Sequence, residues 1–348
     1  MKRTSTKDRI LELLRQEARR DPHGVCSGEW LGQQAGVSRN AVWKAVHALR
    51  QEGYPIEPVP GGGYRLGEVR DLLNAREIAR RRLTAQRLGR ELEVWDSLNS
   101  TNTYVKQKAA SGEGKDGLVV IARQQTAGRG RRERVFHSPE SGLYLTVLLC
   151  PDQSGGLELA QLGTFNLAAA VAAARAVQAV CGQEAQIKWP NDLLSDGRKL
   201  CGILTECTIE SESGRVQNVI LGLGFNVNQQ EEDFPPELRG TAVSLRQLCG
   251  QEVDRAQLAA ALLDGLEQVL ADWQQGGQAS WLEEYRQRSA VLGQEVDIHF
   301  PDGSCRPGRG EDITPEGGLL VRWEDGSTQL LHSGEVSLRL ADFQHKER

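Results

Sequence analysis

Seven consecutive residues, Gly128-Arg129-Gly130-Arg131-Arg132-Glu133-Arg134, hold four arginines and two glycines shortly after an apolar run, Leu118 to Ala122. Glycine lets backbone amides approach a ligand closely, and the guanidinium fork suits phosphate and carboxylate oxygens. Such a loop can hold a polyanion. On charge and glycine alone it fits a solvated basic turn equally well. A second candidate is Lys188, set between Ile187 and Trp189 and followed by Pro190-Asn191-Asp192. Most lysines sit on surfaces, but apolar neighbours and an adjacent turn favour an inward orientation here. The third is Ser97-Leu98-Asn99-Ser100-Thr101-Asn102, which offers hydroxyl and amide groups to a polar ligand. Taken alone it reads as the N-cap of the helix that follows. Gly222 and Gly224 lack the third glycine of a dinucleotide fingerprint, and no GxxxxGK[ST] occurs. Any nucleotide is therefore held without a Walker loop.

Other chemistries are excluded by composition. The seven cysteines are odd in number, scattered and without a CxxC pair, and the six histidines form no HExxH. That pattern argues against zinc or a disulfide framework and for reduced thiols in a cytoplasm. The chain opens on an amphipathic pattern without a signal-like apolar core, and no run approaches the ~18 apolar residues of a membrane span. At 348 residues two or three domains are expected. Residues 1–66 contain 11 Lys/Arg against 7 Asp/Glu, whereas the whole chain has a net charge of −5. A basic segment on an acidic body points to an anionic partner for that segment alone.

The elements around these residues can be read from periodicity. Ile10, Leu13, Leu14 and Ala18 recur at helical spacing before Pro22. Ser27 caps a short second helix, Gly36 stops it, and Ser38 caps a third. That third helix gathers Val42, Ala45, Val46 and Leu49 on one face. Arg39, Asn40, Trp43, Lys44 and His47 lie on the other. With Tyr54 to Leu66 read as a hairpin turning at Gly61-Gly62-Gly63, the plan is a winged helix-turn-helix. Ser38, Arg39, Asn40, Trp43, Lys44 and His47 are its DNA-facing candidates; a small helical protein-interaction module is the competing reading.

Residues 67–288 read as a mixed α/β body. A helical stretch from Leu72 to Arg90 and a short strand at Leu92 to Trp95 precede a helix from Thr103 to Ala110. Strands follow at 118–125 and 143–149, an alanine-rich helix at 158–181, and strands at Gln186 to Leu194, Lys199 to Ile209 and Val216 to Val227. Asp196-Gly197 marks a hairpin. After a helical stretch from 255 to 288, residues 289–348 show short strands (Gln294 to Phe300, Gly317 to Trp323, Gln329 to His332, Val336 to Leu340) punctuated by Asp-Gly turns, as in a small barrel.

Taken together, Ser100-Thr101-Asn102, Gln125 with Ala127-Gly128-Arg129-Gly130-Arg131-Arg132, Lys188-Trp189-Pro190-Asn191-Asp192, Arg198 to Leu204 and Gly222 to Asn228 resemble the bifunctional biotin protein ligases that double as biotin operon repressors. The matches keep the family's order over residues 1 to about 340. The resemblance implies an α+β multidomain chain. Residues 1–66 would form the winged helix-turn-helix, 67–288 a mixed α/β ligase domain like class II aminoacyl-tRNA synthetases, and 289–348 an SH3-like barrel. It implies that biotin and ATP give biotinyl-5′-AMP and pyrophosphate with Mg²⁺, and that biotin passes to a lysine of the biotin carboxyl carrier protein of acetyl-CoA carboxylase. A cytoplasmic repressor that dimerises on biotinyl-5′-AMP and binds operator DNA is implied as well.

By the same resemblance, Arg131 and Lys188 carry the chemistry. Biotin would be met by Ser100, Thr101, Asn102, Gln125, Gly128, Arg129, Gly130, Arg131, Lys188, Gly202 and Ile203. The nucleotide would be met by Arg129, Arg131, Arg132, Lys188, Asn191, Lys199 and Asn226. Asp192 is the acidic side chain weighed for Mg²⁺, but no protein ligand is assigned, since phosphates can hold that ion themselves. Two departures stand out. Glu133 replaces the family loop's sixth-position glycine, and Phe136 stands where a tryptophan is usual. A ligand-sensing regulator on a weakened ligase scaffold is the alternative, which Arg131 and Lys188 together disfavour. A lipoate-type ligase is disfavoured by the intact Gly-Arg-Gly-Arg-Arg and Lys-Trp-Pro-Asn-Asp stretches and by the winged helix.

Overall fold

In the computed structural model, residues 5–151, 159–210, 214–277, 279–300, 302–332 and 335–338 are described. The chain divides into two compact units, Met1–Asn74 and Ala75–Arg348.

The first unit is built as α1 (Thr6–Arg20), β1 (Cys26–Ser27), α2 (Gly28–Ala35), α3 (Arg39–Gln51), β2 (Ile56–Val59) and β3 (Gly63–Leu66). Each helix starts on a serine. The Ser5 hydroxyl accepts the Asp8 N–H at 3.2 Å, Ser27 accepts that of Trp30 at 3.1 Å, and Ser38 that of Ala41 at 3.3 Å. These caps satisfy donors that the first helical turn leaves open. Gly36 is left-handed (φ 64°), which ends α2 and turns the chain into α3. Ile10, Leu11, Leu14, Leu31, Val42, Val46, Leu49, Ile56 and Leu66 close over one core. Each such side chain contributes roughly 1.5–3 kcal/mol by leaving water. The strands order as β1-β3-β2, so the expected hairpin gains a third, two-residue strand.

The second unit begins with α4 (Ala75–Arg81), β4 (Leu92–Leu98), α5 (Thr101–Ala110), β5 (Val119–Gln125), β6 (Leu143–Leu149) and α6 (Leu162–Cys181). It continues with β7 (Gln186–Lys188), β8 (Asp192–Ser195), β9 (Arg198–Ile209), β10 (Val216–Phe225), α7 (Leu245–Cys249), α8 (Arg255–Gln274) and α9 (Ala279–Arg288). Strands β4 to β10 form a seven-stranded sheet in the order β4-β5-β6-β10-β9-β8-β7. Only β4 and β5 run parallel, as a crossover through α5 requires; every other neighbour pair is antiparallel. Leucine, valine and alanine side chains of α6 are almost all buried, packed against α8 and the sheet. This is the one described helix long and apolar enough to cross a membrane, and most of it is covered by protein. The last part, β11 (Glu295–His299), β12 (Cys305–Ile313), β13 (Leu319–Trp323), β14 (Thr328–Leu331) and β15 (Glu335–Leu338), is a five-stranded antiparallel sheet ordered β14-β13-β12-β11-β15.

Four segments differ from the periodicity reading. The stretch from Leu72 to Arg90 is helical only over Ala75–Arg81. Beyond it, the Leu83 N–H donates to Asp264 at 2.7 Å, and the N–H groups of Arg87 and Leu88 donate to Glu267 at 2.8 and 2.7 Å. Carboxylates of α8 thus replace the bonds a helix would make. Arg82 completes this clasp through Asp264 (2.5 Å) and Glu267 (3.4 Å), and Arg81 reaches Asp254 at 2.6 Å. Gln186 to Leu194 is two strands, because the chain reverses at Trp189-Pro190-Asn191 and pairs β7 with β8. The helical stretch 255–288 is broken into α8 and α9. Residues 305–313 form a strand despite Pro307, Gly308 and Gly310. The helix expected over 158–181 begins at Leu162, after a 3-10 turn over Leu159–Gln161, while residue 158 and the end of the Val336 to Leu340 strand lie outside the described residues.

Candidate active site

The arginine loop is a closed hairpin. Arg129 bridges to Val135, the Gly130 N–H donates to the Arg134 carbonyl at 2.7 Å, and the Phe136 N–H donates to the Gly128 carbonyl at 2.9 Å. Its tip, Arg131 to Glu133, is a single 3-10 turn in which Arg132 is left-handed (φ 53°). A non-glycine residue there is strained, and such strain gathers at ligand-binding turns. The Glu133 side chain lies outside the described residues. Gly128 is buried, and a Cβ on it would run into the Phe136 carbonyl and the Ser138 hydroxyl. The close packing of the hairpin accounts for this glycine.

Under the loop lies a cavity of about 190 Å³. It is lined by Ser100, Thr101, Asn102, Gln125, Arg129, Gly130, Arg131, Arg132, Lys188, Asn191, Lys199, Gly202 and Ile203, among others. Residues separated by a hundred positions are gathered by β4, β5, β7, β8 and β9. One end is a polar network. The Gln125 carbonyl accepts the Thr101 N–H at 2.8 Å and its amide donates to Ser138 Oγ at 3.1 Å. Thr146 Oγ1 lies 2.7 Å from both Thr101 Oγ1 and Asn102 Oδ1, and the Asn102 amide donates to Glu206 at 3.0 Å. Ser100 caps α5 through the Thr103 N–H and also lines the cavity, so its two readings coexist.

The other end is cationic. Arg131 Nη1 donates to Asn191 Oδ1 at 3.3 Å, while Asn191 is held to Ile203 by a backbone bond and by its own amide, both 2.8 Å. This ties the loop tip to the β7–β8 turn that follows Lys188. Lys199 pairs with Asp192 at 2.8 Å and sits 5.7 Å from the Phe136 ring. The floor consists of paired glycines: Gly202 of β9 lies opposite Gly224 of β10, and a Cβ at Gly224 would come within 2.8 Å of Phe136. A Cβ at Gly222 would overlap the Asn102 carboxamide. The pair that fell short of a dinucleotide fingerprint is there to leave room. Cys201, beneath this floor, is fully buried, and burial pushes its thiol well above the usual range, so it stays neutral.

A second cavity of about 520 Å³ shares Val135, Phe136, Lys188, Asp192 and Lys199 with the first and adds His137, Asn226, Phe234, Leu238 and Thr241. Asn226 is buried, its amide donating to the Lys199 carbonyl at 3.1 Å. His137, Phe234 and Leu238 gave no sequence signal, nor did Thr146, Glu206 and Val336 around the first cavity. They lie in loops or ordinary strand positions, and only the fold brings them near.

In the first unit, Ser38, Arg39, Asn40, Trp43, Lys44 and His47 are all exposed, whereas Val42, Ala45, Val46 and Leu49 are buried. The Trp43 and His47 rings lie 5.5 Å apart on the free face of α3.

Comparison with known proteins agrees with this plan. Residues 94–226 match the biotin/lipoate A/B protein ligase family, 7–65 an HTH domain and 291–339 the biotin protein ligase C terminal domain. The bifunctional ligase/repressor BirA of Bacillus subtilis (strain 168) is 35% identical over 339 residues, 97% of this chain and 100% of that one. The protein of the same name from Escherichia coli (strain K12) is 33% identical, covering 91% and 94% of the two chains. The chain belongs to the bifunctional biotin protein ligase and repressor family. A solved biotin protein ligase from Aquifex aeolicus in complex with biotin and ATP superposes with a TM-score of 0.61 at 27% identity, over 72% of this chain and 99% of that one. The N-terminal HTH unit, the ligase sheet and the C-terminal sheet are thus this family's three parts, and the two cavities are lined mainly by its ligase part. All seven cysteines are free.

Proposed function

We propose that this protein activates biotin with ATP to biotinyl-5′-AMP, passes the biotinyl group to a lysine of the biotin carboxyl carrier protein of acetyl-CoA carboxylase, and represses biotin synthesis genes in response to biotin. The observation that carries the ligase reading is the first cavity: hydroxyl and amide groups of Ser100, Thr101, Asn102 and Gln125 at one end, and Arg129, Arg131 and Lys188 at the other. A ring bearing N–H and C=O groups fits the Ser100, Thr101, Asn102 and Gln125 end. A carboxylate fits the cationic end, with backbone from Gly202 and Ile203 along its side. The second cavity suits the base and ribose, with Phe136 and Phe234 as apolar walls and Lys199 and Asn226 as polar ones. Lys188 and Lys199 line both cavities, where the phosphates would lie, with Arg132 and Asn191 beside them in the first.

A biotin carboxylate oxygen then attacks the α-phosphorus of ATP. The new O–P bond forms as the bond to the β-phosphate's bridging oxygen breaks, and pyrophosphate leaves. Lys188 and Arg131 neutralise charge on the α-phosphate oxygens as it develops and hold the two anions together, the contributions that matter most here. In the second step the carrier's neutral lysine amine attacks the biotinyl carbonyl, the C–O bond to the phosphate breaks with its electron pair leaving on AMP, and the amine's proton passes to solvent. Among the described residues no group of three or more His, Cys, Asp or Glu side chains could cage a metal. Asp192 is already paired with Lys199. Mg²⁺ would therefore arrive on the phosphates.

We read residues 1–66, 67–288 and 289–348 as the winged helix-turn-helix, the synthetase-like ligase domain and an SH3-like barrel. Homodimerisation on biotinyl-5′-AMP in the cytoplasm would present two α3 helices to operator DNA. Biotin-dependent exchange of pyrophosphate into ATP by the purified protein, followed by labelling of a carrier domain, tests the ligase reading. Absence of exchange would refute it.

A further inference from the structure

We infer that the C-terminal sheet positions Lys188 for adenylation, by gripping the indole of Trp189 through the turn between β12 and β13. The inference rests on the role proposed for Lys188. Trp189 is 1% exposed and follows Lys188 directly. Its Nε1 donates to the Gly317 carbonyl at 2.9 Å. That bond leaves the ligase sheet and ends on the turn joining two C-terminal strands.

The turn is itself wedged in place. Thr164, near the start of α6, donates its hydroxyl to the Pro315 carbonyl at 3.0 Å. Gly163 lies so close that a Cβ there would overlap the Glu316 carbonyl, and one on Gly317 would come within 2.8 Å of the Gly163 backbone. Gly317 is also left-handed at φ 89°. Two glycines face one another because no side chain fits between helix and turn. On its other side β7 is held by the segment after α9, with the Ala290 N–H donating to the Ile187 carbonyl at 2.8 Å. Lys188 is thus flanked by two residues anchored to elements outside its own hairpin. Val336 of β15 also lines the first cavity, so the same small sheet reaches the site directly. Placement errors of about 1 Å in a catalytic group can cost about a hundredfold in rate. A buried indole locked at Nε1 suppresses such errors, and Trp189 is on this account a positioning residue.

The test uses the full-length protein and two variants, Trp189→Phe, which keeps a ring and removes the donor, and Gly163→Ala, which displaces the turn without touching β7. Each should lower kcat for biotin-dependent ATP–pyrophosphate exchange about tenfold, with KM for biotin changed less than about twofold, because the ring-binding end belongs to β4, α5 and β5. In a Lys188→Ala background neither change should slow residual exchange further, since coupled residues are non-additive. Unchanged kcat in both variants overturns the inference, and so does a tenfold loss that persists in full without Lys188, which marks a merely structural effect. If Lys188→Ala alone leaves exchange intact, the reading of Lys188 fails first. If Lys188→Ala abolishes exchange while both variants keep it, only the present inference fails.

Discussion

We propose that Arg131 is the side chain that retains the acyl-adenylate, which must be made quickly and then kept from water. It reaches Asn191 across the cavity mouth and so links the loop tip to the lysine-bearing turn. Arg131→Gly should leave biotin binding within a few-fold of the parent and accelerate release of biotinyl-5′-AMP about 30- to 100-fold, as expected for losing a charge-assisted contact. Rapid filtration of enzyme loaded with labelled biotin would reveal it, and retention equal to the parent's would contradict the role. At this scale the sequence was most informative about charge. Arg129, Arg131 and Lys188 are conspicuous because their types and neighbours are unusual, whereas Lys199 came only from the family resemblance. Thr146 and Glu206 were invisible: a threonine in an apolar strand and a glutamate near a strand end look ordinary until Asn102 is folded against them. Gly128 reads in the sequence as a ligand-admitting glycine, and the fold adds a second reason for it, since a Cβ there would strike the Phe136 carbonyl and the Ser138 hydroxyl.

Helices and strands were legible where one face alone is buried. α3 declared both its sides through spacing, and Ser27 and Ser38 act as the caps read from the sequence, to which the structure adds Ser5. Elements whose bonds go elsewhere were not legible. The residues after α4 give their N–H groups to α8, and β12 carries a proline and glycines that hide its pairing on both sides. Glu267 allows the clasp to be tested. Burial raises its pKa, but N–H groups of Arg87, Leu88 and Gln86 and the Thr84 hydroxyl outweigh burial and hold it below the ordinary value. A depressed carboxylate stabilises the fold above its unfolded pKa, about 4.3, and that stability is lost as pH falls through the folded value. Glu267→Gln should therefore cost about 2 kcal/mol near neutrality, with the gap to the parent closing below about pH 4. Denaturant melts at both pH values measure this, and a gap independent of pH would count against the account.

For the molecule as a whole, charge is divided as the two proposed activities require. The basic first unit can bind operator DNA while the acidic remainder avoids non-specific nucleic-acid contacts. DNA affinity should rise when biotin and ATP are present and fall about 10³-fold or more between 50 and 200 mM salt if six or more phosphates are contacted. Fluorescence anisotropy across a salt series checks both, and salt-independent binding would remove α3 from the phosphate backbone. The overall order of parts was readable because each announces itself separately: capped helices first, an α/β alternation next, short strands with Asp-Gly turns last. The clasp of α4 and the following loop onto α8 has a mechanical side. A pull on the chain at Asn74 meets Arg81 on Asp254, and Arg82 on Asp264 and Glu267, before it reaches β4. Tension entering this second unit at its first helix would therefore load the ion pairs on α8 before it loaded the strands around the candidate cavity.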